Sequence, residues 1–368
     1  MNKNSGNASF FAKLKAWPLL LPVVSLILVM AVNIIHDAAT GINPLSFFII
    51  TLNETTNSGS ILYGRIIDIL NRGSEVAILA LGMTLVVSSS AGTDISVGSV
   101  MSLAASFCCM LLAGYGVSST NELAVPLVVG VLGAFLMGAL CGVFNGTLVA
   151  YLQIQPMVAT LILYSAARAI GLLLCNDLIV YVRNPSFAYF GSFTGPIPTP
   201  IIIAAVCIAI VALMLSKTSL GMYIQSVGIN SKASRIAGLN SKRIIFMTYV
   251  ICGLFAGVAG LVNSSRITSA DSNNVGLYYE MDAILAVALG GNSLGGGKFN
   301  LAGSIIGAYT IQAITTTLYA LGVSTDQAPV FKAIIVILIV AIQSAPLRAY
   351  FRKRSAAKAL AGREAAKA

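Results

Sequence analysis

The side chains that could do chemistry are few and dispersed. The one histidine, His36, closes the first apolar run, so no histidine stands in the interior of the chain for a metal site or a catalytic triad. The six cysteines, Cys108, Cys109, Cys141, Cys175, Cys207 and Cys252, lie almost all within apolar runs and form no C-x-x-C pair, the pattern of small buried hydrophobes. More telling are polar residues set in or beside apolar sequence. Asp94 sits in the interruption at 91–98 (AGTDISVG), where it can N-cap the run that follows. Arg168 is placed well inside an apolar run. A cation at membrane depth costs at least about 2.5 kcal/mol on insertion scales, so Arg168 needs a carboxylate, carbonyl or water partner. Glu280 ends and Asp282 follows the polar stretch SADSNNVGLYYE, read as an outside loop, and Asn145 and Gln155 bracket the end of another run that Pro156 breaks. Asp94, Asn145, Arg168, Glu280 and Asp282 are thus candidates to line a solute path. A second interruption, 289–298 (LGGNSLGGGK), has the glycines of a phosphate loop, but that motif needs Gly at 292 and Ser or Thr at 299, where this chain has Asn292 and Phe299. With no metal-ligand spacing, nucleophile elbow or acid–base pair on one face, the chain is expected to bind no cofactor and to transport rather than catalyse.

The elements that must hold these residues follow from composition. Of the 368 residues 57% are hydrophobic and 9% charged, far below the roughly 25% charged of a soluble domain. Ten spans of about 20 residues would use about 200 residues, close to the 57% that are apolar. The expected fold is therefore an all-α polytopic membrane protein of about ten transmembrane helices, with candidate runs at 18–35, 73–89, 96–114, 123–150, 157–175, 200–216, 244–262, 281–290, 301–320 and 329–345. The net charge of +10 is too thinly spread for a nucleic-acid partner; membrane lipid is the expected one. Alternation from a cytoplasmic N-terminus puts 16 of the 22 basic residues inside: those of segment 1–17, of the 217–243 loop, Lys298, and seven of the tail 346–368. Arg65, Arg72, Arg183 and Arg266 fall outside. Both termini are then cytoplasmic, with 18–345 as the membrane domain. Glycines at four-residue spacing (Gly138, Gly142 and Gly146; Gly253 and Gly257; Gly303 and Gly307) read as close helix contacts.

Segment 217–243 is the longest polar stretch between late spans. Its punctuation describes one short helix: Ser231 as N-cap, Gly238 as the left-handed C-terminal cap and Leu239 as the hydrophobe after it. Ala233, Ile236 and Ala237 share a face, while Lys232 and Arg235 point elsewhere. A capped basic helix on the cytoplasmic side suits docking to a soluble partner.

Four ordered segments carry a resemblance: LNRGSEVAILALGMTLVVSS into GTDISVGSVMSLA, FNGTLVAYLQIQPMVATLILYSAARAI, LGMYIQSVGINSKASRIAGLNSKRI, and GLYYEMDAILAVALGGNSLGGGKFNLAGSIIGA. Over about residues 60–345 the chain resembles the permease subunits of bacterial ATP-binding cassette importers for monosaccharides, the ribose, xylose and galactose group. IQPMVATLIL, NPSFAYFGS and SADSNNVGLYYEMDAILAV look most like galactofuranose-type permeases, with fructose and ribose permeases related. The resemblance implies an inner-membrane subunit paired with a second copy or a paralogous permease, fed by a periplasmic or lipid-anchored sugar-binding protein and driven by a cytoplasmic ATPase subunit, which holds the ATP and Mg. By position it assigns ATPase coupling to Gly228, Asn230, Ser231, Lys232, Ala233, Arg235 and Gly238. Where the family usually has two glycines before its Ile-Asp-Leu-Ser, this chain has Ala91, Gly92 and Thr93 before Asp94. The alternative is a secondary sugar transporter coupled to ions through Asp94, Glu280 or Asp282.

Overall fold

A computed structural model describes residues 19–41, 43, 47–55 and 59–343. Segments 1–17 and 346–368, expected to be cytoplasmic, lie outside the described residues. All ten apolar runs fold as helices: α1 (Leu20–Ala39), α2 (Arg65–Ser90), α3 (Val97–Ala113), α4 (Leu127–Gly146), α5 (Pro156–Leu174), α6 (Thr199–Lys217), α9 (Ser241–Ile267), α10 (Tyr279–Leu289), α11 (Leu301–Ala320) and α12 (Ala328–Gln343). Between α6 and α9 lie α7 (Leu220–Ile229) and α8 (Ser231–Ile236), two helices where one was expected. Arg65 and Arg72, assigned to an outside loop, belong to the first turns of α2, because Arg65 and Asp68 extend its helix N-terminally beyond the apolar run. Among the described residues seven helices are both long and apolar enough to cross a membrane: α1, α2, α4, α5, α6, α9 and α11.

The centre of the bundle is α2, buried along 94% of its apolar window, with α9 packed against α2, α3 and α4, and α11 against α1, α2 and α10. The glycine stripes are where these helices meet. Gly138 and Gly142 of α4 face Gly253 and Gly257 of α9; a Cβ at Gly142 would stand 2.7 Å from the Val250 Cα, and one at Gly138 3.1 Å from the Gly257 Cα. The backbones touch, as close packing in lipid requires. In α11, Gly303 and Gly307 lie against the backbone of α10 and its C-terminal Gly290. The outer faces are apolar and exposed, as in Val128, Leu132, Leu136 and Leu140 of α4, which recur every four residues along one stripe. Such a stripe is suited to lipid.

Helix ends alternate between two ends of the bundle. At one end a small sheet ties three connections together: Ser119–Thr120 pairs in parallel with Val180–Val182, which pairs antiparallel with Ser269–Ala270. The other end gathers the 91–96 break, the start of α5, the α7–α8 segment and the 289–300 loop. Both polar interruptions seen in the sequence therefore sit at one end.

Candidate functional site

At this second end, Gly228 in the last turn of α7 is wedged against the Ser88 carbonyl of α2 and the backbone of Gly297, whose N–H donates to Ser88 at 3.0 Å. A Cβ at 228 would meet backbone on both sides, so only glycine fits. The apolar side of α7, Ile224 and Val227, packs with Leu85 of α2 and Ile244 of α9. The 289–300 loop is braced by Asn292, which donates to the Val287 carbonyl at 3.0 Å and to the Ser304 hydroxyl at 2.8 Å, while Thr84 of α2 donates to Ser304 at 2.7 Å. Asn292 thus closes a broken helix at the position where a phosphate loop would need glycine.

α8 emerges from this block. Its cap is Asn230, not Ser231: Asn230 is extended (φ −157°) and its side-chain oxygen accepts from Ala233 N at 3.0 Å, whereas Ser231 already has helical backbone. At the other terminus Gly238 is left-handed (φ 88°), Leu239 N donates to Ser234 O at 3.0 Å and Gly238 N to Arg235 O at 3.1 Å, a paired Schellman closure. Only Ser234 of this helix is buried. Lys232, Ala233, Arg235 and Ile236 all face outward, Ile236 with 89% of its surface exposed. The small apolar face of Ala233, Ile236 and Ala237 is exposed as well.

Deeper in the bundle, Asp94 and Asn145 meet. Asp94 Oδ1 accepts from the Ser96 N–H at 2.9 Å and from the Ser96 hydroxyl at 2.6 Å, and Asn145 Nδ2 donates to Ser96 Oγ at 2.8 Å. The carboxylate closes a turn two residues before the helix boundary and does not cap α3, which starts after Ser96. Ile95 N donates to Thr160 Oγ1 of α5 at 3.2 Å, so the break is pinned to α4 and α5 together. Beyond Asn145, α4 continues as a π-helical turn through Thr147–Tyr151, and the chain reverses at Gln153 (φ 57°) before Gln155 and Pro156 open α5.

Arg168 finds carbonyl partners: Nη1 donates to Ser272 O at 2.8 Å and Asn273 O at 2.7 Å. These carbonyls belong to a segment read from sequence as an outside loop. Residues 271–278 instead form consecutive turns lying along α3: Ser272 and Val275 are buried, Ser102 Oγ donates to Ser272 O at 2.9 Å, and Gly276 abuts Gly98 in the first turn of α3. Irregular backbone at such depth must be satisfied internally, which is what Arg168 and Ser102 do. The re-entrant segment also explains why α10 has only 11 residues, about half of a 30 Å core. Glu280, in its first turn, is buried with its carboxylate against Gly98.

Asp282 faces a different space, a cavity of about 510 Å3 bordered by α2, α9, α10, α11 and α12. There it pairs with Lys332 of α12, both carboxylate oxygens at 2.9 Å from Nζ. Behind the cavity wall lies a second group: Glu75 of α2 accepts from Tyr279 OH at 2.8 Å and Asn263 at 2.9 Å, and stands 3.1 Å from Arg266 Nη2. Glu75 and Lys332 were missed from the sequence, although each is a lone charge inside an apolar run, the signal that singled out Arg168. Of the candidate path residues, Asp282 lines the cavity, Asp94 and Asn145 share one buried network, Arg168 holds the re-entrant segment and Glu280 packs against Gly98. Tyr278, at the cavity, is left-handed (φ 66°), a conformation costing an L-residue about 1–2 kcal/mol.

The chain is 44% identical to the galactofuranose transporter permease protein YtfT of Escherichia coli over 285 residues, 77% of this chain and 80% of that one. It is 35% identical to the fructose import permease protein FruF of Bifidobacterium longum over 369 residues, covering 98% and 97% of the two. With the ribose import permease protein RbsC of Escherichia coli it shares 34% over 302 residues, 80% and 90% of the two. Residues 65–342 match the family described as the permease component of the branched-chain amino acid transport system. The long apolar helices, and a family match extending from the first turn of α2 to the last turn of α12, make this chain a multi-pass membrane protein that belongs to the permease components of ATP-binding cassette importers.

Proposed function

We propose that this chain is the membrane subunit of an ATP-driven monosaccharide importer of the bacterial inner membrane, and that α8 is the element on which the ATPase acts. The observation that carries the reading is α8 itself: capped at both ends, exposed on its basic and apolar faces, and joined through Gly228 to both helix breaks. A push on α8 reaches the end of α2 and the 289–300 loop through backbone contacts that leave no slack. Gly228, Asn230, Ser231, Lys232, Ala233, Arg235 and Gly238 form the contact or shape it, and Asp94 with Asn145 holds the break that must follow the motion. ATP and Mg reside on the partner ATPase. A sugar-binding protein delivers solute at the opposite end, and a second permease, identical or paralogous, completes the membrane unit. A furanose-type sugar is favoured because relatives named for galactofuranose, fructose and ribose all resemble this chain. Ten spans with cytoplasmic termini complete the reading, α3, α10 and α12 joining the seven long helices. The test is uptake into proteoliposomes holding the chain with its ATPase and binding protein. Accumulation should need ATP and both partners. Full-rate uptake by the chain alone, or uptake abolished by an uncoupler at constant ATP, would overturn the proposal, the second in favour of ion coupling.

A further inference from the structure

The cavity beside Asp282 takes no part in the coupling just described, and its chemistry is specific. Tyr278, Tyr279 and Tyr319 bring aromatic surface to it, and Asn274, Gln312 and Thr315 bring neutral hydrogen-bonding groups. Its charges cancel. Arg72, Arg266 and Lys332 line it together with Asp282 and Asp326, and Glu75 stands behind Arg266, three cations to three carboxylates. Two of those cations are already matched within the protein, Lys332 to Asp282 at 2.9 Å and Arg266 to Glu75 at 3.1 Å. The two charges left over, Arg72 and Asp326, are of opposite sign, so the lining offers a net charge to neither an anion nor a cation, whereas an uncharged solute with many hydroxyls needs none. At about 510 Å3 the space lies within the range of about 300–1,000 Å3 typical of small-molecule sites. Part of its lining, Asn274, Leu277 and Tyr278, comes from the re-entrant segment that Arg168 anchors, so the wall is fixed before any ligand arrives.

We propose that this cavity is a solute site within a single permease subunit, recognising an uncharged monosaccharide through the amide and hydroxyl of Gln312 and Thr315 and through stacking of its C–H face on the tyrosine rings. The inference rests on the reading of the chain as a sugar permease and names that permease's own substrate contacts. Because all six native cysteines are buried, a Thr315→Cys variant places one reactive thiol in the cavity. In the full importer complex, a methanethiosulfonate reagent should label it, and D-ribose, D-fructose or D-galactofuranose should slow the reaction. At about ten times the half-protecting concentration the rate should fall about tenfold, as occupancy of a single site requires. Labelling of Ser119→Cys, exposed on the small sheet, should not change. Adding Gln312→Leu should raise the half-protecting concentration about tenfold, the loss expected when one hydrogen-bonding partner is removed. If the wild-type complex accumulates a sugar that protects neither variant, the cavity assignment fails while the permease reading stands; protection by leucine in place of any sugar would also overturn it. A wild-type complex that accumulates none of the three sugars would remove the reading on which the inference rests.

Discussion

Single residues show where charge in an apolar bundle is tolerated. Glu75 accepts from Tyr279 and Asn263 and faces Arg266, so removing only the carboxylate leaves a largely buried guanidinium with the Asn71 carbonyl and no counter-charge in contact. Breaking a buried pair by one partner costs about 3–5 kcal/mol, whereas removing both charges is often neutral. Glu75→Leu should therefore lower the melting temperature of the purified chain in detergent, and Glu75→Leu with Arg266→Met should recover much of the loss; equal melting of single and double variants would refute the pairing argument. Ala91 supplies the converse case. It ends α2 in the left-handed region (φ 54°), where the resembled family usually carries glycine, and Ala91→Gly should leave thermal stability unchanged or raise it by about 1 kcal/mol. The departure from the family pattern was visible in the sequence; the strain it creates was not, since it depends on the turn the backbone makes. Likewise Arg168 announced its need for a partner, but not that the partner would be a backbone 104 residues away.

Among the elements, α8 was the most legible. Gly238, Leu239 and the outward Lys232 and Arg235 are local features, set by capping chemistry that a short window of sequence contains. The assignment of Ser231 as cap slipped by one residue because Asn and Ser cap about equally well, and extended backbone at 230 decides between them. Gly238→Val should uncouple ATP hydrolysis from uptake with membrane insertion retained, because a β-branched side chain clashes in a left-handed cap. Lys232→Glu with Arg235→Glu should do the same by reversing the exposed charge. Retention of the ATPase at wild-type strength in a pull-down with both variants would contradict the role given to α8. Gly228→Ala offers the more severe case: with backbone on both sides of the missing Cβ, α7 must shift, and coupled uptake should be lost. What sequence could not reveal is the re-entrant segment, because a polar stretch satisfied by Arg168 and Ser102 inside the bundle has the same composition as one satisfied by water.

For the whole molecule, the ten apolar runs and their order were readable because lipid forces backbone satisfaction within each helix. Their lengths were less so: the 11-residue α10 and 17-residue α3 fall short because re-entrant segment and break replace the missing turns. The proposed topology predicts that a cysteine at Lys217 or Lys242 reacts with an impermeant reagent only after the cell membrane is opened, whereas one at Ser119 or Asn121 reacts in intact spheroplasts. Equal reactivity at both sets would reject it. The crossing of α4 and α9 then bears on how such a molecule can alternate. Gly138, Gly142, Gly253 and Gly257 interlock backbone to backbone, so sliding either helix by one residue would bring a side chain into a space without room for a Cβ. The two helices form one beam, rigid along its length, and the freedom to expose first one side of the membrane and then the other must come from a seam that does not cross it.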